Sequence, residues 1–169
     1  MFVAANNYSP HGTSFSVVLY GNVFGSRGSV VPLFQECKKK GIVPITDSRM
    51  TRFWIALEQG VNFVLESVEE MQGGEIFIPK IPSMKVVDLA KAICPKAKLK
   101  IIGIRPGEKL HELLVSKDEG LSTYELKNKY IIYPHLETSL KSMKNRRGTP
   151  LGNKFEGYSS NQNKVWLKV

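Results

Sequence analysis

An α/β fold with a parallel sheet is predicted by three features of this sequence. The apolar run Phe15-Ser16-Val17-Val18-Leu19 enters a glycine-bearing stretch, Tyr20 to Gly28, and an apolar-periodic segment, Val30 to Lys40, leaves it. Such a run, without alternation, reads as a strand buried on both faces. Strand, glycine loop and helix in that order place a polar loop at the carboxyl edge of a sheet, where α/β folds hold ligands. Next, Leu57, Val61, Val64, Leu65, Val68 and Met71 recur at helical spacing, with Glu58, Gln59, Asn62, Glu66, Glu69 and Glu70 on the other face. This amphipathic helix is the strongest local signal in the chain. Finally, the segments follow one another as α, β, α, β, α, β, α, β, β with no internal repeat.

Taken in order, residues 2–8 read as the last turns of a helix that Ser9-Pro10-His11-Gly12 stops. Having no N-cap ahead of it, this helix end is expected to be the remnant of a longer chain. The strand at 15–19 and the glycine loop follow, then a helix over 31–40 ended by Gly41 at its C′ position. Ile42 to Thr46 is extended, and Asp47-Ser48 turns the chain. Gly73-Gly74 ends the amphipathic helix, and Glu75 to Pro79 reads as a strand. Val86 to Ile93 is a helix stopped before Pro95; Leu99 to Ile104 and Lys129 to Pro134 are extended. The predicted division is a folded portion, 1–134, and a polar carboxyl-terminal tail, 135–169.

At 169 residues the chain is about one domain long, enough to bury roughly 70% of its unfolded surface. A mean hydropathy of −0.17, with no apolar run near the length a bilayer requires, predicts no membrane span. Met1 is followed by Phe-Val-Ala-Ala-Asn-Asn, without a basic start or a long apolar core, so the expected compartment is the cytoplasm. Cys37 and Cys94 are too far apart in sequence for a metal or redox motif and read as small core hydrophobes. The formal net charge of +9 suggests an anionic partner. The basic residues are scattered and no aromatic-interleaved stripe is present, so nucleic acid is not expected. Lys38-Lys39-Lys40 closes a helix, where cations complement the dipole, and Lys141 to Arg147 lies in the tail.

The polar candidates gather at three turns. Gly21, Gly25 and Gly28 space a loop in which Asn22, Ser26, Arg27 and Ser29 can bond phosphate or sugar oxygens. The loop matches neither G-x-G-x-x-G nor G-x-x-x-x-G-K-[ST], so a plain glycine-rich turn is the competing reading. Arg49-Met50-Thr51-Arg52-Phe53-Trp54 lies between the Asp47 turn and the amphipathic helix. Arg105-Pro106-Gly107-Glu108-Lys109-Leu110-His111-Glu112 directly follows a strand. An arginine held at a strand end by Pro-Gly suits bidentate contact with a pyrophosphate. Glu108, one turn on, can accept two sugar hydroxyls. Arg105 and Glu108 can equally form a structural ion pair. His111-Glu112 does not complete H-E-x-x-H, because Val115 stands where the second histidine belongs, so no zinc site is predicted. His11 and His135 sit in turn and tail contexts. The residues point to an anionic, hydroxyl-rich ligand and name no catalytic group.

Several of these stretches share one register with a known family. Phe2-Val3-Ala4-Ala5-Asn6-Asn7, Tyr20-Gly21-Asn22-Val23, Gly25 to Val30, Thr51 to Ile55, Leu57-Glu58-Gln59-Gly60-Val61, Ile78 to Met84 and Ile104 to Glu112 resemble the carboxyl-terminal half of the inverting UDP-N-acetylglucosamine 4,6-dehydratases. These are CapD-like polysaccharide biosynthesis proteins of the extended short-chain dehydrogenase/reductase group. Phe155 to Asn161 and Val165-Trp166-Leu167 resemble that family's closing segment. The fold implied is part of an NAD(P)-binding Rossmann-like domain: the last strands of its parallel sheet plus a small substrate-binding subdomain.

The resemblance implies an NADP-dependent lyase that oxidises a UDP-sugar at C4, eliminates water across C5–C6 and returns hydride to C6 with inversion at C5. Its product feeds pseudaminic acid and related surface sugars. By similarity Asn22, Arg52 and Arg105 hold the pyrophosphate and Glu108 the uridine ribose. Ile45 and Thr46 line the uracil pocket, and Arg27 lies near the nucleotide. The family's dinucleotide fingerprint, its Tyr-x-x-x-Lys pair and its acid/base Asp-Lys all lie amino-terminal to the residue matching Phe2. The chain is therefore expected to be inactive alone, to associate as a homo-oligomer or with a separate Rossmann-half chain, and to take UDP-N-acetylglucosamine or a related UDP-sugar. Leu19 stands where the family carries arginine, which weakens anion binding at that strand end. A non-catalytic UDP-sugar-binding or oligomerisation module is the alternative.

Overall fold

A computed structural model describes residues 2–8, 12–26, 29–134 and 146–168. The elements in chain order are α1 (Phe2–Ala5), β1 (Val17–Val18), β2 (Asn22–Val23), α2 (Val30–Lys40), β3 (Ile42–Ile45), β4 (Thr51–Ile55), α3 (Leu57–Glu70), β5 (Ile76–Pro79), β6 (Ser83–Lys85), α4 (Val86–Ile93), β7 (Lys98–Ile101), β8 (Leu113–Val115), β9 (Thr123–Glu125), β10 (Lys129–Ile132), β11 (Thr149–Pro150) and β12 (Tyr158–Ser159). The chain divides into two compact units. The first comprises Met1–Tyr20, Val61–Lys80 and Leu114–Tyr158; the second comprises Gly21–Gly60, Ile81–Leu113 and Ser159–Val169. The predicted tail thus contributes to both units through β11, β12 and the residues around them; His135 and Lys141 to Asn145 lie outside the described residues.

The first unit is a mixed sheet in the order β1-β5-β10-β9-β11. β1 runs parallel to β5, with Val17 opposite Ile76 and Val18 opposite Phe77. β10 is antiparallel to β5 and brings Ile131 opposite Phe77. Phe63 of α3, Phe77 and Ile131 form the buried centre. The predicted strand over 15–19 contracts to two paired residues, and these are half-buried rather than covered on both faces. The cause is its place in the sheet: among the described residues β1 has a ladder partner on one side only. Its entry is nonetheless fixed. The Asn6 amide donates to the carbonyls of Val3 and Phe15 (2.9 Å each), and its Oδ1 accepts from the Phe15 N–H (2.8 Å).

Helix α3 forms where its periodicity predicts, but not the expected face is buried. Gly60, Phe63 and Ser67 turn inward, while Leu57, Val61, Leu65 and Val68 are exposed. The periodic stripe predicts a helix correctly because the pattern reports period, not partner. At its end Gly73 (φ 116°) and Gly74 (φ 95°) adopt left-handed backbone that only glycine takes readily. The buried Glu75 carboxylate accepts from the Gly73 N–H (2.8 Å) and the Ser16 hydroxyl (2.7 Å), joining this turn to the residue before β1.

The second unit holds a three-stranded sheet in the order β2-β4-β6 and a parallel pair, β3 and β7. The parallel registers set Asn22 opposite Trp54 and Val43 opposite Leu99. Strand β4 is absent from the elements read from the sequence, where 49–54 is placed only between the Asp47 turn and the amphipathic helix. Period-two alternation explains it: Thr51, Phe53 and Ile55 face one way, Arg52 and Trp54 the other. The core gathers Phe34, Val43, Ile45, Trp54, Met84, Leu89 and Ala90, with Cys94 buried and Cys37 packed at its margin. Gly21 is required by close approach, since a Cβ there would lie 2.7 Å from the Phe53 carbonyl oxygen. The mixed α/β class with parallel strands is as the sequence predicts.

Candidate functional site

The second unit contains a cavity of about 240 Å³ whose wall includes Asn22, Thr46, Arg52, Trp54, Arg105 and Glu108. Five of the seven residues named from the sequence thus converge from four segments. β2 supplies Asn22, the end of β3 Thr46, β4 Arg52, and the loop after β7 both Arg105 and Glu108. Ile45 is not among the lining residues. It is fully buried, because its neighbours Pro44 and Thr46 take the cavity-facing side of the strand. Arg27 lies outside the described residues.

The 105–112 loop is held by its own backbone. Gly107 takes φ 83°, and the Glu108 N–H returns to the Arg105 carbonyl (3.0 Å). The Glu108 carboxylate accepts from the Arg105 backbone N–H (3.1 Å) and from the Thr46 hydroxyl (3.3 Å). Among the described residues the Arg105 guanidinium makes no ion pair. Glu108 is thus engaged by the backbone of Arg105 rather than by its guanidinium, which is exposed.

Arg52 is differently committed. Its guanidinium donates to the carbonyls of Thr51 (2.7 Å), Leu110 (3.1 Å) and Lys109 (2.7 Å), and its Nε lies 3.3 Å from Glu112. It ties β4 to the loop that carries Arg105 and Glu108. Of five N–H donors, these contacts leave about one for a ligand, so Arg52 contributes position and charge more than a bidentate grip. Beside it Asp47 caps its own turn by accepting from the Arg49 backbone N–H and guanidinium (2.8 and 3.0 Å). The Arg49 side chain and then its backbone N–H draw the Asp47 carboxyl down to about 2.

Below the loop runs a chain of hydroxyls. The Thr51 hydroxyl bridges His111 Nδ1 (2.8 Å) and the Ser160 hydroxyl (2.7 Å), and Ser160 Oγ accepts the Glu112 N–H (2.9 Å). Burial, then Arg52 and Arg49, lower the His111 pKa below its ordinary value, against a smaller opposite effect of Asp47. The folded state therefore binds fewer protons here than the unfolded state. This contribution to stability is full above pH about 6.5 and is lost as the pH falls toward the lowered value. Melting temperature measured from pH 8 to pH 5 should fall through that window, and His111→Gln should flatten the dependence. An unchanged slope in the variant would remove His111 as the cause.

Trp54 is the wall residue that the sequence reading overlooked. It is 1% exposed and stacks on Phe24 with ring centroids 4.7 Å apart. Its indole N–H and the Ser29 hydroxyl have no hydrogen-bond partner among the described residues. The available signal was its place two residues from Arg52 on an alternating strand.

Comparison with known proteins gives four findings. A family model described as "Polysaccharide biosynthesis protein" matches residues 1–134. The UDP-N-acetylglucosamine 4,6-dehydratase (inverting) of Campylobacter jejuni is 51% identical over 98% of this chain and 52% of its own length. The UDP-glucose 4-epimerase of Rickettsia bellii is 42% identical over 71% of this chain and 37% of its own. Among solved structures, Pen from Bacillus thuringiensis superposes with a TM-score of 0.82 at 31% identity, over 97% of this chain and 50% of that one. The chain spans about half the length of the curated relatives it matches.

Proposed function

The chain belongs to the polysaccharide biosynthesis protein family, with a Rossmann-like extended short-chain dehydrogenase/reductase fold, and from that premise we propose that it is the UDP-sugar-binding portion of a UDP-N-acetylglucosamine 4,6-dehydratase. The observation that carries the reading is the exposed Arg105 guanidinium beside Glu108 on the wall of one cavity. Arg105 and Asn22 address the diphosphate, with the remaining donor of Arg52. Glu108 takes the ribose hydroxyls, and Thr46 faces the base. The two relatives support the ligand class, since each is named for a UDP-sugar.

The complete enzyme would oxidise C4, eliminate water across C5–C6 and reduce C6 with inversion at C5. NADP would serve as hydride acceptor and donor. The cofactor-binding and catalytic motifs are not found in this chain, which contains neither G-x-G-x-x-G nor Tyr-x-x-x-Lys. The cofactor and the proton-transfer groups are assigned to a Rossmann half, in a cytoplasmic assembly. Isothermal titration with UDP-N-acetylglucosamine should give measurable heat. Arg105→Ala should weaken binding about 10- to 100-fold, the equivalent of one charged hydrogen bond of ~1.5–3 kcal/mol. Equal binding by the variant would remove Arg105 from the site, and absence of binding by the unaltered chain would end the reading. Dehydrated product from the purified chain alone would show that the catalytic groups lie within it.

The partner half would meet the first unit. There β1 has an open ladder edge among the described residues, and Val61, Leu65 and Val68 form an apolar face on α3. A parallel strand and a packed helix from the other half would cover both. The alternative, a binding module without catalysis, predicts the same affinity for UDP-sugars and no turnover when the halves are combined.

A further inference from the structure

We infer that the outer edge of β7 is a docking strand for an extended acidic segment of a partner protein. Among the described residues β7 pairs only with β3, in a two-stranded parallel sheet. The N–H groups of Lys98 and Ile102 donate to the carbonyls of Gly41 and Ile45 (2.9 Å each). Residues 98, 100 and 102 therefore turn their backbone groups toward β3. By alternation, Leu99 and Ile101 turn theirs outward, and neither makes a backbone hydrogen bond on that side among the described residues. The edge is exposed: Ile101 is 56% accessible.

This edge carries one sign of charge. Lys98 and Lys100 share a face of the strand, opposite Ile42 and Pro44 of β3. Lys38 and Lys96 line one pocket with Gly41 and Cys94, and Lys40 immediately precedes that glycine. All five lysines are exposed. On α2, β3, α4 and β7 the carboxylates are Glu36 and Asp88. Neither makes an ion pair with these lysines among the described residues.

Lysines on an edge strand oppose pairing with a like copy, so a second molecule of this chain is disfavoured by its own charge. A bilayer would leave the outward N–H and C=O groups unsatisfied. An extended segment with carboxylates at alternate positions satisfies both demands, adding a strand while pairing with Lys98 and Lys100. The surface is independent of the UDP-sugar reading.

The test uses the full chain and a fluorescein-labelled peptide of alternating glutamate and valine, followed by anisotropy. Binding should weaken with salt. Reversing both charges with Lys98→Glu and Lys100→Glu should weaken it about 5- to 30-fold. Ile101→Pro removes an outward N–H while sparing the ladder to β3, and should weaken binding about fivefold with unchanged circular dichroism. Binding that responds to salt but not to Ile101→Pro would reduce the edge to a non-specific cation patch and overturn strand addition. Binding to phosphatidylglycerol vesicles without peptide binding, or self-association blocked by Ile101→Pro, would overturn it as well.

Discussion

Glu70→Ala lowers the unfolding free energy by about 3–5 kcal/mol, the usual cost of leaving a buried charge without its partner. The side chain of Lys129 is only 3% exposed; its Nζ lies 2.6 Å from Glu70 Oε2 and 5.8 Å from the centre of the Phe77 ring. Once the carboxylate is removed, that ammonium remains among apolar groups. Lys129→Met costs much less, because Glu70 is a quarter exposed and keeps Arg147 at 2.8 Å. The double variant Glu70→Leu with Lys129→Met recovers most of the loss, since an apolar replacement of a buried pair is often neutral or better. Urea denaturation of the three variants measures this. Equal losses for the two single variants would mean that Lys129 is solvated despite its position.

Combining this chain with a separately expressed Rossmann half should change its hydrodynamic and thermal behaviour together. Alone, the chain is expected to scatter light as an oligomer and to melt broadly, because an open strand edge and an apolar face both promote association. Burial of Val61, Leu65 and Val68 stabilises by ~1.5–3 kcal/mol per side chain, comparable in sum with the stability of a whole domain. Val61→Asp with Leu65→Asp should therefore abolish assembly with the other half and leave a more monomeric chain. These residues are 50% and 59% exposed in the chain by itself, so the substitutions need not disturb the first unit. A sharp, cooperative melt of a monomer would show that the face needs no cover. Unimpaired assembly of the double variant would place the docking surface elsewhere.

Much of this molecule follows from local sequence. The glycine loop, helices α2, α3 and α4, and the strands that become β5 and β7 depend on spacing, capping and Pro or Gly punctuation, which neighbours along the chain decide. The motif register that links Asn22, Arg52, Arg105 and Glu108 is likewise a property of the sequence, and so is family membership. What faced what was decided only by tertiary packing. Periodicity placed Leu57, Val61, Leu65 and Val68 on one stripe, yet Phe63 and Ser67 took the inside, and among the described residues the other face stays exposed. Ile45, the last residue of β3, reached the core and Thr46 just beyond it the cavity, which a list of residues does not carry. The choice between an ion pair and a free guanidinium at Arg105 was likewise tertiary. The Glu108 carboxylate accepts instead from the Arg105 backbone N–H and from the Thr46 hydroxyl, 62 positions away in sequence.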